Sequence, residues 1–337
     1  MTGACFYKGS FFDKLSERGK ILSLIGVLFY WGLLYHYQAL RPEHFVVGML
    51  TLILFWGGQR CRRLRALLFP LLLTGMVYDS QRLYSDFLRG SIHVSEPYRF
   101  DHFFFGIRSG SEILTPNEWW QRHAQPVLDF LCGFAYLIFI PEFFLVVFYF
   151  LFCLGEKEAK LARQMSWGFF WLNILGYSTY YWYAAAPPWY AAEHGFGPAD
   201  LSVQASLGGC IRFDQILGLP IFKTWYGHSA DVFGAIPSLH VAYPFLALIY
   251  ALRAKRLRIW SLFFFLWVSF SAVYLNHHYI LDILWGASYA LLIGLLGILF
   301  SFIKNRRPWD ETQSQVAITD FFPSESSLKS PPSNSEV

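Results

Sequence analysis

The sequence predicts an all-α polytopic membrane protein with about eight transmembrane helices, and three observations predict it. Charged residues make up only 15% of the 337 residues, where a soluble chain carries about 25%. Hydrophobic residues make up 55% and aromatics 20%. The apolar residues come in runs such as LIFIPEFFLVVFYFLF and YALLIGLLGILFSFI, near the ~20 residues that cross a bilayer as a helix. The period-two alternation of a membrane barrel is missing.

Eight apolar segments are expected as spans: 21–38, 43–59, 66–79, 127–153, 166–185, 237–252, 259–276 and 279–303. The second, third and sixth are short for the purpose. The first lacks a small-residue cleavage site, so it is expected to stay as an uncleaved anchor. Residues 308–337 are polar and rich in serine and proline, the composition of a disordered tail. The expected division is a two-helix segment at 1–65, a catalytic membrane domain at 66–303 and a cytoplasmic tail at 304–337.

The basic residues test this layout. With the N-terminus inside, the inner side holds Lys8, Lys14, Arg18 and Lys20, then Arg60, Arg62, Arg63 and Arg65. Next come Lys157, Lys160 and Arg163, then Arg253, Lys255, Arg256 and Arg258, and last Lys304, Arg306 and Arg307. Every short inner loop is basic, as the positive-inside rule requires. The net charge of +4 is therefore mostly topology, and no basic face beside aromatics marks a nucleic-acid surface. Of the five cysteines only Cys210 falls clearly outside, which excludes an internal disulfide framework. No Cys/His spacing resembles a zinc site, and no metal or cofactor is expected.

Two long outer loops remain, about 80–126 and 186–236. The second ends in DVFGAIPSLHVAYPF, and AVYLNHHYILDILWG joins the last two spans. His240, His278 and Asp282 therefore fall on one membrane face, although the layout made no use of them. The four-residue spacing of His278 and Asp282 puts them on one helix face. A carboxylate there fixes the imidazole tautomer and leaves the other nitrogen as nucleophile. Pro237 suits the first turn of a helix and Ser238 its entrance, where unpaired N–H groups attract phosphate. These parts suggest phosphoryl transfer: His278 attacks phosphorus, Asp282 orients it and His240 protonates the leaving oxygen. His277 points about 100° away on a helix and is expected to support the site, as are His228 and Asp231 of YGHSADVFG.

PSLH (237–240) and HHYILD (277–282) resemble the second and third signatures of the type-2 phosphatidic acid phosphatase superfamily. With AAAPPWY (184–190), IRFDQILG (211–218), GAIPSLH and YLNHHYILD, the chain is similar to the inositol phosphorylceramide synthases of fungi and their bacterial relatives. LLTGMVYDSQRLYSDF (72–87) and HVSEPYRFDHFFFGI (93–107) resemble the region before the core in that branch. The resemblance implies a six-helix core and catalytic residues His240, His278 and Asp282. It also implies transfer of phosphoinositol from phosphatidylinositol to the primary hydroxyl of ceramide, with release of diacylglycerol.

The departures are informative. Phosphatases of the superfamily carry a Lys-x6-Arg-Pro signature, an Arg six residues before the nucleophile and a Gly before the acid His. Here the first is missing, Ala272 stands for the second and Leu239 for the third. A phosphodiester carries one charge where a monoester carries nearly two, so the loss of cations suits a diester donor. Arg212 and Lys223 are candidate phosphate partners, with Ser238, Tyr180 and Tyr190 as neutral donors. The other aromatics around span five read as an interfacial belt. YRFDHFFFGI reads as an interfacial helix. Glu142, after Pro141 in span four, is functional by default.

The alternatives are a lipid phosphatase of the same superfamily, with water as acceptor, and a histidine-lined transporter. Transporters bind near the midplane of repeated halves, whereas the polar groups here gather at one face and no repeat is visible. The lack of any Asn-x-Ser/Thr sequon favours a bacterial inner membrane over a Golgi membrane, with the site on the periplasmic or luminal face. The sequence leaves a partner subunit open.

Overall fold

The computed structural model describes residues 11–58, 61–226 and 232–306. Its elements run in order as α1 (Phe11–His36), α2 (Pro42–Trp56), α3 (Arg62–Ser80), α4 (Ser85–Leu88), α5 (Ser95–Phe105), the hairpin β1 (Ile107–Ser109) and β2 (Glu112–Leu114), and α6 (Pro116–Arg122). Then come α7 (Pro126–Phe148), α8 (Glu156–Trp182), α9 (Pro188–His194), α10 (Cys210–Leu217), α11 (Ile221–Tyr226), α12 (Leu239–Ala254), α13 (Arg258–Tyr274) and α14 (Ile280–Arg306). The chain divides by contacts after Leu295. The first unit holds α1 to α13 and most of α14; described residues 296–306 of the second are the last turns of α14.

Each of the eight apolar segments falls on a helix. Besides α1, which starts at Phe11, two helices start well before their apolar segments, α8 at Glu156 and α3 at Arg62. Their first turns carry Lys157, Lys160 and Arg163, and Arg62, Arg63 and Arg65, and charge hides a helix from a reading of apolar runs. Among the described residues, three helices are long and apolar enough to cross a membrane: Glu17–His36, Pro126–Cys153 and Ile280–Ile303. Pro42–Trp56, Leu239–Ala254 and Arg258–Tyr274 are shorter apolar helices. Leu22, Phe29, Met49, Leu145, Leu262 and Phe263 are exposed, as lipid-facing residues are. The chain is an integral membrane protein. The tail expected at 308–337 lies outside the described residues.

α12 packs against α7, α8 and α13, and α3 against α8. Small residues let these helices approach. A Cβ on Gly168 of α8 would meet Leu246 of α12 at 3.3 Å, and one on Gly133 of α7 would meet Phe213 of α10 at 2.3 Å. The aromatic excess fills the remaining space, with Phe139 and Phe143 of α7, Phe169 of α8 and Tyr243 of α12 in mutual ring contact.

The two long connections are themselves built. Thr115 and Glu118 form a capping box at the start of α6, each satisfying the other's backbone N–H. The parallel bridges His93–Ala185 and Ala185–Gly234 tie both connections together beside the end of α8. Residues of α5, α6 and α9, Gly209 just before α10, and Tyr226 of α11 contact the junction of α13 and α14.

Candidate active site

α13 ends at Tyr274, and the chain turns through Asn276 at a left-handed φ of 61°. Such a residue lets the following N–H groups reach back to the last carbonyls. His277 and His278 both donate their backbone N–H to the Ala272 carbonyl at 3.1 Å. α14 begins only at Ile280, which corrects the expected geometry: His278 lies in the turn, not on one helix face with Asp282. The two still meet. His278 Nδ1 is 3.2 Å from Asp282 Oδ2, and the same oxygen accepts the Tyr279 N–H at 3.0 Å.

Remote residues hold this turn. Asn117 of α6 donates from Nδ2 to the carbonyls of Val273 and His278, both at 3.0 Å. Gln121 donates to the Tyr274 carbonyl at 2.8 Å. Asp101 of α5 accepts the N–H groups of Ile280 and Leu281 at 2.7 and 3.1 Å, capping α14 from another part of the chain. Burial pushes the Asp101 carboxyl up to about 7, against the pull of those two bonds.

α12 supplies His240. The Ala235 N–H donates to the Ala185 carbonyl at 3.2 Å, and the Ser238 N–H to the Asp282 carbonyl at 2.9 Å. The helix starts at Leu239, so Pro237 precedes it instead of occupying its first turn. The start of α12 can lie this close to α14 because residue 286 is glycine: a Cβ there would stand 2.3 Å from the Ser238 carbonyl oxygen. His240 Nδ1 is then 3.0 Å from His278 Nε2.

These contacts form one hydrogen-bonded relay. Asp282 Oδ2 accepts, so the proton sits on His278 Nδ1 and Nε2 carries the lone pair. That lone pair accepts from the Nδ1–H of His240. Burial holds the His278 imidazole far below the usual histidine range, at about 3, so it is neutral. Burial, then the neighbouring His278, does the same to His277, also at about 3. His277 Nε2 faces the Leu207 carbonyl at 3.0 Å and Cys210 Sγ at 3.2 Å. Its ring is stacked against both Tyr136 and Tyr226.

His240, His277 and His278 open on a cavity of about 420 Å³ that reaches α3, α7 and α8. Its walls are mostly apolar, and among the described residues that line it none is Lys or Arg. Tyr180 lines it and donates to the Pro237 carbonyl at 3.3 Å. Ser238 Oγ is buried with no partner and lies outside the lining. Arg212 also lies outside the lining: its Nε donates to Asp129 Oδ1 at 2.6 Å and its Nη1 to Gln121 Oε1 at 2.9 Å. Lys223 is exposed. Tyr190 is buried, its hydroxyl accepting the Asp200 N–H at 2.7 Å. His228 and Asp231 lie outside the described residues.

Sequence reasoning missed Asp101, Asn117, Gln121 and Tyr136. A signal existed for Asn117, since the Thr115-x-x-Glu118 capping box announces the helix that carries it. Asp101 looked like one more charge on an interfacial helix.

A model of the PAP2 superfamily matches residues 111–296, more than half of the 337 residues. The chain belongs to the PAP2 superfamily. The phosphoinositol dihydroceramide synthase of Bacteroides thetaiotaomicron is 37% identical over 271 residues, 79% of this chain and 87% of that protein. The inositol phosphorylceramide synthase of Candida albicans is 33% identical over 50% of this chain and 35% of its own length. The inositol phosphorylceramide synthase catalytic subunit of Saccharomyces cerevisiae is 32% identical over 36% of this chain and 31% of its own length. The PAP2 region thus includes α6 through most of α14, and both signature histidines fall within it. No solved structure matches the chain.

Proposed function

We propose that this chain moves a phosphoinositol head group from phosphatidylinositol to the primary hydroxyl of a ceramide-class lipid and releases diacylglycerol. The observation that carries the reading is the Asp282–His278–His240 relay opening on a largely apolar cavity without a lining cation. The activities named for the bacterial and fungal relatives support it.

The steps follow from the relay. An entering phosphodiester displaces His240 from His278 Nε2. The Nε2 lone pair attacks phosphorus and the bond from phosphorus to the glycerol oxygen breaks; His240, which takes up a proton with the entering phosphate anion and so acts as the imidazolium, gives a proton to that oxygen and returns to neutral imidazole. Diacylglycerol leaves and phosphoinositol stays on His278. Asp282 stabilises the charge that develops on the imidazole through Nδ1–H. In the second half the acceptor hydroxyl gives its proton to His240. Its oxygen attacks phosphorus and the N–P bond breaks. A neutral His278 is the form that attacks.

In this reading eight helices cross the membrane: α1, α2, α3, α7, α8, α12, α13 and α14. The last six form the core, and the histidines sit on the extracytoplasmic face, in a bacterial inner membrane. Ser238 and Tyr180 are proposed as phosphate donors. For Arg212, Lys223 and Tyr190, which lie outside the cavity lining, we propose a supporting role in the surrounding wall.

The test is a lipid assay on purified protein in detergent, with labelled phosphatidylinositol, with and without ceramide, beside a His278→Ala control. A new phosphoinositol-bearing sphingolipid that needs ceramide and vanishes in the control is expected. Release of inositol phosphate regardless of ceramide would make the protein a hydrolase. Unchanged chemistry in the control would remove His278 from the mechanism.

A further inference from the structure

A site that handles a phosphate anion without a lining cation must grip it with neutral donors. Most buried polar groups around the cavity are already committed. Tyr243 donates to Asn173 Oδ1 at 2.6 Å, Asn173 Nδ2 to the Phe169 carbonyl at 2.7 Å, and Tyr180 to the Pro237 carbonyl at 3.3 Å. Tyr136 is the exception. It is 1% exposed, lines the cavity, and its hydroxyl is buried with no hydrogen-bond partner among the described residues. Its ring lies flat on His240, with centroids 4.3 Å apart and planes 14° apart, and also stacks on His277 at 5.3 Å. The stack fixes the ring and so fixes where the hydroxyl points.

A buried hydroxyl left unpaired costs free energy, and a chain needing only the ring would be served by phenylalanine. We infer that the Tyr136 hydroxyl is a phosphate ligand, donating to a non-bridging oxygen of the phosphodiester when the lipid displaces the His240–His278 bond. The inference rests on the phosphotransferase reading and deepens it: it names a neutral hydroxyl as a donor at a site whose lining lacks a cation. Neutral hydroxyl donors suit a diester with one charge and serve a doubly charged monoester poorly, so the assignment also bears on substrate class.

Tyr136→Phe keeps the ring stack and removes the hydroxyl. Turnover of phosphodiester lipids is expected to fall roughly 10- to 100-fold, as for a hydrogen bond to a charged group. The factor should be the same whatever the head group, because the contact is to phosphate. The melting temperature is expected to hold or rise, since no protein partner is lost. A merely structural tyrosine would show the reverse, lower stability with activity per folded molecule retained.

A binding arm runs beside the kinetics, using the fluorescence of Trp189 and Trp225, which line the cavity. Wild type should bind phosphatidylinositol more tightly than diacylglycerol, and Tyr136→Phe should lose that difference. Wild-type turnover and phosphate preference in the Phe variant would overturn the assignment and leave the transferase reading standing. A wild type that binds the phospholipid but transfers nothing would overturn the transferase reading while the binding difference still judged Tyr136.

Discussion

Two buried ionisable groups sit on or against α7, and they differ in what surrounds them. At one end is the His278 relay, against which Tyr136 packs. Six residues along is Glu142, 5% exposed, whose Oε1 accepts the Trp260 Nε1–H of α13 at 2.9 Å. Both are the kind of residue that apolar helices rarely carry. The histidine site has partners drawn from α5, α6, α12 and α14 and a cavity in front of it. Glu142 does not line that cavity, and its bond to Trp260 ties two packed helices. Burial of a titratable group is therefore common to both. Access and the number of independent elements holding the group are what separate them.

That contrast can be broken experimentally. The largest effect is expected from His278→Ala, a loss of roughly a thousand-fold or more in transfer, because the proposed nucleophile is gone. Glu142→Gln measured in the same assay should stay within about twofold. Equal losses in both would mean that Glu142 belongs to the chemistry. Asp282→Asn comes next. An amide presents the wrong partner to Nδ1–H and removes the charge that steadies the imidazolium, so roughly a hundred-fold or larger loss in kcat is expected. A neutral outcome would mean that another acceptor, such as the Ala235 carbonyl, sets the tautomer.

Asp101→Asn tests support at a distance. One of the two capped N–H groups loses its acceptor, and about 1 kcal/mol of stability should go with it. A slight tilt of the His278 turn should cost roughly tenfold in kcat. Lost stability with wild-type kcat would reduce Asp101 to a cap. The smallest effect is in pH. Burial depresses His278 below its ordinary value, so between the normal histidine range and about pH 3 the unfolded chain binds a proton the native site refuses. Stability from this group is full above that range and falls as pH drops through it. The nucleophile stays neutral at pH 5, and the acid limb of the transfer rate should lie below that. An acid limb in the ordinary histidine range would show that His278 is more hydrated than its surroundings indicate.

How much of this was legible in the sequence divides along the range of the forces involved. Helix period, length and the basic loops are local, and the eight apolar segments all fall on helices. The contact of His278 with Asp282 was legible too, although the turn at Asn276 makes it and not a shared helix face. What was hidden is the support. Asn117 reaches a carbonyl 161 positions away and Asp101 an N–H 179 positions away, and no spacing rule reaches that far. Charge suggested Arg212 for the phosphate, yet Asp129 in the first turn of α7 holds it. The orphan hydroxyl of Tyr136 is visible only once the buried polar side chains that line the cavity have been matched to their partners.

Gly286 has a consequence beyond packing. The spacing between the His240 and His278 rings is gauged by a residue that has no side chain. Position 286 is a spacer of zero thickness, and any thicker one works as a wedge. Gly286→Ala adds a single methyl group on a helix where alanine is locally welcome. It should nonetheless push the Ser238 backbone outward and unmesh the two histidines of the proposed relay, which it never touches. An undamaged Gly286→Ala enzyme would mean that the backbone around Ser238 yields and that the clearance is set elsewhere.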